Sequence, residues 1–328
     1  MKRVLFFAAL AAFCWACFAQ PVPAWLVRPE RDFPSKQYIR AVGEGNSVKA
    51  AQNSALAEIS LYFNTKVDVV NVAVSSASAV AKDGAETFSS SKSFKQVASV
   101  SSSAEFFCVS FTDPFYDKKL DRYSVLAYIN KAEASEIYKS RISSLMESIN
   151  LYAESAADEN EAFLAAAALS KAVVMGNLCE KYIHNETLIV PSESESYKAA
   201  LRTIAETRSD RDALKKRMTF FIEMEQRDKV FMPIYSKLSS LMEKRGYAVS
   251  LAGANYTLKV DVSCAEENYD AGPFVRPSVS IAIVNGRGSG VYSYSKAFPR
   301  IGSKTMEQAY TRAVSKINQD LEENFLAE

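Results

Sequence analysis

The chain has one histidine, His184, in 328 residues. A histidine metal site needs several such side chains together, and a serine or cysteine nucleophile would have only this imidazole as its base. Cys179 lies five residues before it, a poor spacing for contact round a helix. Cysteine is also scarce. Only Cys108, Cys179 and Cys264 follow Ala19, widely separated and with no Cys-x-x-Cys pair. Three is an odd number, so no full disulfide scaffold can form within the chain, and buried free thiols are the expected state. A charge excess is missing as well, since 39 basic residues face 38 acidic ones. A nearly neutral chain has no general electrostatic claim on nucleic acid, and no nucleic-acid partner is expected.

Nucleotide-binding glycine patterns are absent too. The stretch "YIRAVGEGNSVKAAQNSALAEISLYFN", residues 38–64, has the outline of a phosphate loop: an apolar run, a Gly-Glu-Gly, then a helix. A dinucleotide fingerprint needs a third glycine where Val48 stands, and a P-loop needs Ser or Thr after its lysine, where Lys49 is followed by Ala50. No cofactor is expected. Gly43 and Gly45 read as a strand-to-helix turn, with Gly45 supplying a positive φ or a close approach and Ser47 acting as N-cap. Behind the cap Val48, Ala51, Ala55, Ile59, Tyr62 and Phe63 recur at helical spacing, and this alanine-rich face suits close packing on a sheet.

What is present begins with an export signal. Lys2 and Arg3 precede an apolar run from Val4 to Ala19, too short to span a bilayer comfortably. Two processing routes fit. Small residues allow cleavage after Ala19; acylation at Cys17 would instead tether the chain to a membrane. Trp15 and Cys14 suit the second route badly.

The rest, roughly 305 residues, predicts two domains. Residues 20–36 carry four prolines and read as an extended leader pinned by Trp25 and Leu26. Residues 37–130 predict an α+β domain: a strand at "YIRAVGE", the alanine-rich helix, a strand at "TKVDVVNVAVS", a serine-rich loop over 75–103 with an edge strand at "SFKQVASVSSS", then strands at "AEFFCVSF" and "YSVLAYIN". Residues 131–217 hold one glycine, Gly176, and read as helices, the first two forming an antiparallel hairpin and the third introduced by Pro191. Residues 218–328 predict a second α+β domain in the order β-α-β-β-β-β-α, with "GRGSG" (286–290) as a hairpin loop and a last helix from Ser303 to Phe325. The fold class is α+β: two small two-layer domains of helix on sheet, joined by a helical hairpin segment.

Candidate carboxylates are few. Glu266, Glu267 and Asp270 read as an exposed acidic turn, the position an envelope hydrolase or carbohydrate binder would use. Asp113, Asp117 and Asp121 are four apart, but Pro114 breaks a helix there, and calcium-loop spacing is absent. The run "RSDRDALKKR" (208–217) alternates in sign and reads as a solvated helix face. No catalytic residue and no metal ligand is assigned.

Residues 24–130 resemble the LPP20 family of exported bacterial lipoproteins. The resemblance rests on "PAWLVRP", on the glycine–alanine stretch running into "NTKV", and on the strands ending "YSVLAYIN". This part is also similar to the N-terminal domain of the flagellar protein FlgT. By element order, residues 218–328 are similar to the α+β domain of the CsgG, LpoB and TolB-N type. The resemblance implies no catalytic residue. The export signal, the two small α+β domains and the lack of a credible catalytic set point to a non-enzymatic cell-envelope protein, in the periplasm or at the outer membrane, acting as an interaction module for envelope proteins. A flagellar or secretion-machine accessory is an alternative, and partner identity and oligomeric state stay open.

Overall fold

The computed structural model describes residues 21–65, 107–226, 229–269 and 272–326. The export signal with Cys17, the expected strand after Thr65, the serine-rich stretch with "SFKQVASVSSS", and Asp270 lie outside the described residues. The chain is an α+β protein with two sheets and a long helical hairpin. It divides into two compact units. The first comprises the described residues to Ser140 together with Tyr182–Ser194, and the second comprises Arg141–Lys181 and the chain from Glu195 onward.

The first unit opens with two single-turn helices, α1 (Ala24–Val27) and α2 (Pro29–Asp32), and not with an extended leader. Pro29 occupies the first helical position, where its missing N–H costs nothing. The Glu30 carboxylate then accepts the Ser35 N–H at 2.9 Å and pairs with the Arg40 guanidinium. The Ser35 bond and then Arg40 draw its pKa down to about 2.

A four-stranded antiparallel sheet follows. β4 (Arg122–Asn130) is central; β1 (Tyr38–Gly45) pairs along one edge, while β2 (Val109–Phe111) and β3 (Phe115–Asp117) share the other. The strand expected over "AEFFCVSF" is confined to its last three residues, because Phe107 and Cys108 form a turn in which Cys108 takes φ +62°. Helix α3 (Val48–Thr65) covers the sheet through Ala51, Ala55, Ile59 and Phe63, all buried. Helix α4 (Lys131–Asp158) leaves β4 directly, and the Asn130 side chain accepts the Ala132 N–H at 3.1 Å in place of a lost helical partner.

Helix α5 (Ala162–Ile189) returns antiparallel to α4, so both helices contribute to both units. In the first unit Tyr138 of α4 packs on Tyr182 of α5, and Ser135 donates to Glu186 at 2.6 Å. In the second unit Ala156 meets Ala165 and Leu169. Among the described residues α5 is the one helix long and apolar enough to cross a membrane, with half of its apolar window buried. A 3₁₀ turn at Pro191–Glu195 leads into α6 (Lys198–Arg217). A β-carbon at Gly176 would come within 2.8 Å of Ile204, so the lone glycine of this segment lets α6 lie close to α5.

The second unit holds a six-stranded sheet in the order β10–β8–β7–β5–β6, with β9 also on β8. β5 (Thr219–Met224) runs parallel to β6 (Ala248–Val249) and β7 (Tyr256–Tyr269); β8 (Gly272–Asn285), β9 (Gly290–Ala297) and β10 (Ile301–Gly302) complete it antiparallel. Alternate residues of β7, namely Tyr256, Leu258, Val260 and Val262, are buried; Tyr256 pairs across to Asn285 of β8 and the other three to Ile283, Ile281 and Val279. Helices α7 (Met232–Lys244) and α8 (Met306–Asn324) pack on that face through Ile234, Leu238, Ile317 and Leu321. Helix α8 begins three residues after the expected Ser303, because Thr305 is the residue whose hydroxyl caps it, accepting the Gln308 N–H at 3.2 Å.

Candidate functional site

The Gly-Glu-Gly segment is not a turn. Gly43 and Gly45 both lie inside β1, paired with Val125 and Tyr123 of β4, and neither has positive φ. Residues two apart on a strand face the same side, and here that side carries α3. A β-carbon at Gly43 would stand 2.1 Å from the Ala51 carbonyl oxygen and 2.2 Å from the Ala55 nitrogen; one at Gly45 would stand 2.6 Å from the Ala51 nitrogen. The glycines therefore exist for close approach: the helix backbone rests on the strand backbone. The chain reverses over Asn46 and Ser47, and the Ser47 hydroxyl accepts the Ala50 N–H at 3.2 Å, the cap expected of it. The surface that a phosphate would need is occupied by the chain's own helix.

The acidic positions also fall differently. Glu266 and Glu267 do not form a turn; they are consecutive residues of β7, paired with Val275 and Phe274 of β8. Consecutive strand side chains point to opposite faces. Glu266 lies on the helix-covered side and accepts the Tyr310 hydroxyl at 2.8 Å, while Glu267 pairs with Arg276 at 3.2 Å. Two carboxylates on opposite faces of one sheet cannot flank one scissile bond. Asp117 and Asp121 bend a surface turn instead: Asp117 accepts the Lys119 N–H at 2.8 Å, and Asp121 takes φ +51° and accepts the Tyr116 hydroxyl.

His184 lies within α5, where burial holds its imidazole below the ordinary value against a hydrogen bond to the Phe63 backbone. Cys179 on the same helix is buried, and burial followed by the Glu180 charge pushes its thiol up to about 11. Burial keeps the Cys179 thiol protonated at neutral pH, which makes it a poor nucleophile. All three cysteines after Ala19 are free thiols. Among the described residues no group of three potential metal ligands converges.

The structure assembles a polar concavity in the second unit that the sequence does not announce. Glu159, Asn160, Glu161, Asn255, Tyr256, Asn285 and Arg287 line a space of about 400 Å³. Glu161 is at its centre. One carboxylate oxygen takes the Tyr256 hydroxyl, and the other accepts the Asn285 amide at 2.7 Å. Burial opposes ionisation here, but the bonds from Tyr256, Asn285 and the Phe163 N–H, with the Arg287 charge, outweigh it and hold the carboxyl below its usual range. Burial, then Glu161, raises the Tyr256 phenol to about 12. An ionised carboxylate with both oxygens engaged donates no proton, so the cluster acts as a clasp fastening the start of α5 to β7 and β8. The "GRGSG" loop is held from the same place, since Asn285 Oδ1 accepts the backbone N–H of Arg287 and of Ser289, each at 3.0 Å. Nothing in the sequence signals this cluster, whose members come from three separate elements.

No family model matches the chain, and no curated protein does. Among solved structures it is similar to the secreted protein HP1454 of Helicobacter pylori, at 12% identity and a TM-score of 0.36, over 88% of this chain and 99% of that one. It is similar over 33% of its length to lipoprotein GNA1162 of Neisseria meningitidis, covering 99% of that chain at 14% identity and a TM-score of 0.24. A minor lipoprotein of Acinetobacter baumannii matches 33% of this chain and 92% of its own, at 11% identity and a TM-score of 0.24. At TM-scores this low, the fold and the function rest on the chain's own residues.

Proposed function

We propose that the chain is a non-enzymatic exported protein of the bacterial cell envelope, an interaction module of the LPP20 type held in the periplasm or at the outer membrane. The observation that carries this reading is the engagement of the candidate catalytic groups in structural bonds. Glu266 serves Tyr310, Glu267 serves Arg276, and Glu161 clasps Tyr256 and Asn285. The export signal over Met1–Ala19 supports the compartment, and its two processing routes support either a free or a Cys17-tethered form.

The compartment is tested by intact-mass analysis of the protein from fractionated cells. A start at Gln20, or an acylated Cys17, in the envelope fraction is expected. An unprocessed Met1 form in the cytosol overturns it. The non-enzymatic reading is tested with Glu266→Ala and Glu267→Ala in assays of envelope-glycan turnover. Activity in the native protein that disappears in a folded variant would sink it.

A further inference from the structure

Independently of that reading, we infer that β9 is an association edge for a second copy of this chain, whose own β9 adds to it antiparallel about a twofold axis at Tyr294. β9 (Gly290–Ala297) pairs with β8 and stands at the end of the sheet. The Phe298 N–H donates to the Pro277 carbonyl at 2.9 Å, so the even-numbered residues of β9 turn their backbone groups toward β8. The N–H and C=O of Ser293, Ser295 and Ala297 therefore point outward, and no second strand meets them among the described residues. All three residues are exposed.

Every open sheet has edges, and most are blunted by shortness, charge or proline. The opposite edge of this sheet is blunted, since β6 is two residues long (Ala248–Val249). β9 is eight residues long, has no proline and carries one charge, Lys296. That charge faces Asp320 of α8 at 3.8 Å. Its β-bulge lies at the Gly290 end, away from Ser293–Ala297. The edge is also held in shape before any partner arrives. The Tyr294 hydroxyl donates to Asp320, the Tyr292 hydroxyl accepts the Leu326 N–H at 3.1 Å, and the Phe325 ring packs edge-on against both tyrosines. A strand ordered in advance loses little entropy on pairing.

The residues of the edge select the second copy. In "VYSYSKA" (291–297) a serine flanks Tyr294 on both sides. An antiparallel pair centred on Tyr294 sets Ser293 opposite Ser295 of the copy, Ser295 opposite its Ser293, and Tyr292 opposite its Lys296. Each serine pair exchanges two backbone hydrogen bonds. No like charges face each other, and each lysine meets a ring. The open face of the sheet already holds such a pair, since Ser263 and Ser278 stand opposite on β7 and β8 with their hydroxyls 2.8 Å apart. A twofold contact needs this self-complementarity; an arbitrary extended peptide does not supply it.

The test is the oligomeric state of the whole purified protein, by sedimentation equilibrium over a wide concentration range. A reversible monomer–dimer equilibrium is expected. Ser293→Lys/Ser295→Lys sets lysine against lysine at both serine pairs and weakens the dimer about tenfold. Ser293→Lys/Ser295→Glu sets opposite charges across both pairs and restores it, a reversal that loss of folding cannot give. Ser295→Pro removes one outward N–H, leaves the bonds to β8 intact and also weakens association. Thermal melts confirm that each variant is folded. A protein that is monomeric at every concentration overturns the inference, including one whose edge takes up an extended peptide of another protein. So does a dimer that the Lys/Lys and Lys/Glu variants leave equally strong, because its contact then lies elsewhere.

Discussion

Gly43 and Ala51 are in backbone contact: a β-carbon on Gly43 would stand 2.1 Å from the Ala51 carbonyl oxygen, well inside any allowed separation. The neighbour is main chain, which cannot swing aside as a side chain would. Gly43→Ala must therefore push α3 off the sheet and should cost about 3 kcal/mol or more, at the upper end for overpacking. Gly290→Ala, where an added β-carbon meets nothing within 4 Å, should stay within about 0.5 kcal/mol of the parent. Urea unfolding of both variants checks the contrast; equal costs would show that Gly43 is not a packing glycine.

Ser47 and Thr305 make the same bond at the start of α3 and α8, each hydroxyl accepting the N–H three residues on at 3.2 Å. Replacing either by alanine should lower stability by about 1 kcal/mol, and Ser47→Asp should recover most of that loss. Denaturation midpoints at constant slope measure it. No change on Ser47→Ala would show that the turn is held by the glycine contact alone.

Two carboxylates, the half-buried Glu161 and the buried Glu186, should give opposite pH responses. Glu161 titrates below its ordinary 4.5 in the fold, so its contribution is present above 4.5 and is lost as pH falls through the folded value. Glu161→Gln should therefore be less stable than the parent at pH 7, by about 1–3 kcal/mol for bonds to a charged group. The gap should close below pH 4.5. Glu186 is fully buried, and burial raises its pKa against the Ser135 bond and Lys139. Its protonated form is the one the fold favours, so its stabilising effect is complete below 4.5 and fades as pH rises through the folded value. Glu186→Gln should gain on the parent at pH 7, and this gain should vanish near pH 4. Stability-versus-pH curves for the two variants that bend the same way would contradict both assignments.

Burial pushes the thiols of Cys179 and Cys264 up to about 11, leaving little thiolate at neutral pH. Alkylation of the native protein by iodoacetamide at pH 7.5 should label both far more slowly than in urea, where all three cysteines after Ala19 react alike. Peptide mapping after timed quenching reads the rates. Fast native labelling of Cys179 would show that α5 opens away from its neighbours.

Much of the fold was legible because it depends on local pattern. The buried face of α3, the hairpin of α4 and α5, and the β-α-β-β-β-β-α order over residues 218–328 all follow from spacing that repeats along the chain, although the structure adds a fifth strand after the first helix of that region, the two-residue β10. So does the Ser47 cap, whose partner is three residues away. Four prolines point to an extended leader, but proline also fits the first position of a helix, which is where Pro29 stands. The charged run of α6 is exposed at most positions, as its alternating sign predicts, with Lys215 the buried exception. Alternating sign predicts a solvated face, but it cannot show that Tyr247 and Gly246, some thirty residues on, close over Lys215.

The sequence by itself determined the class of the protein: an α+β chain without a nucleotide fingerprint, without a disulfide scaffold and with a single histidine. These conclusions need only composition and short-range order, so no folding was required to reach them. The tertiary structure alone decided what the marked residues do. It turned Gly43 and Gly45 from a turn into the floor under a helix, set Glu266 and Glu267 on opposite faces of a strand, and gathered Glu161, Tyr256 and Asn285 into one clasp. Each of these depends on strand pairing or helix docking between residues far apart in the chain, and local propensity carries no record of that.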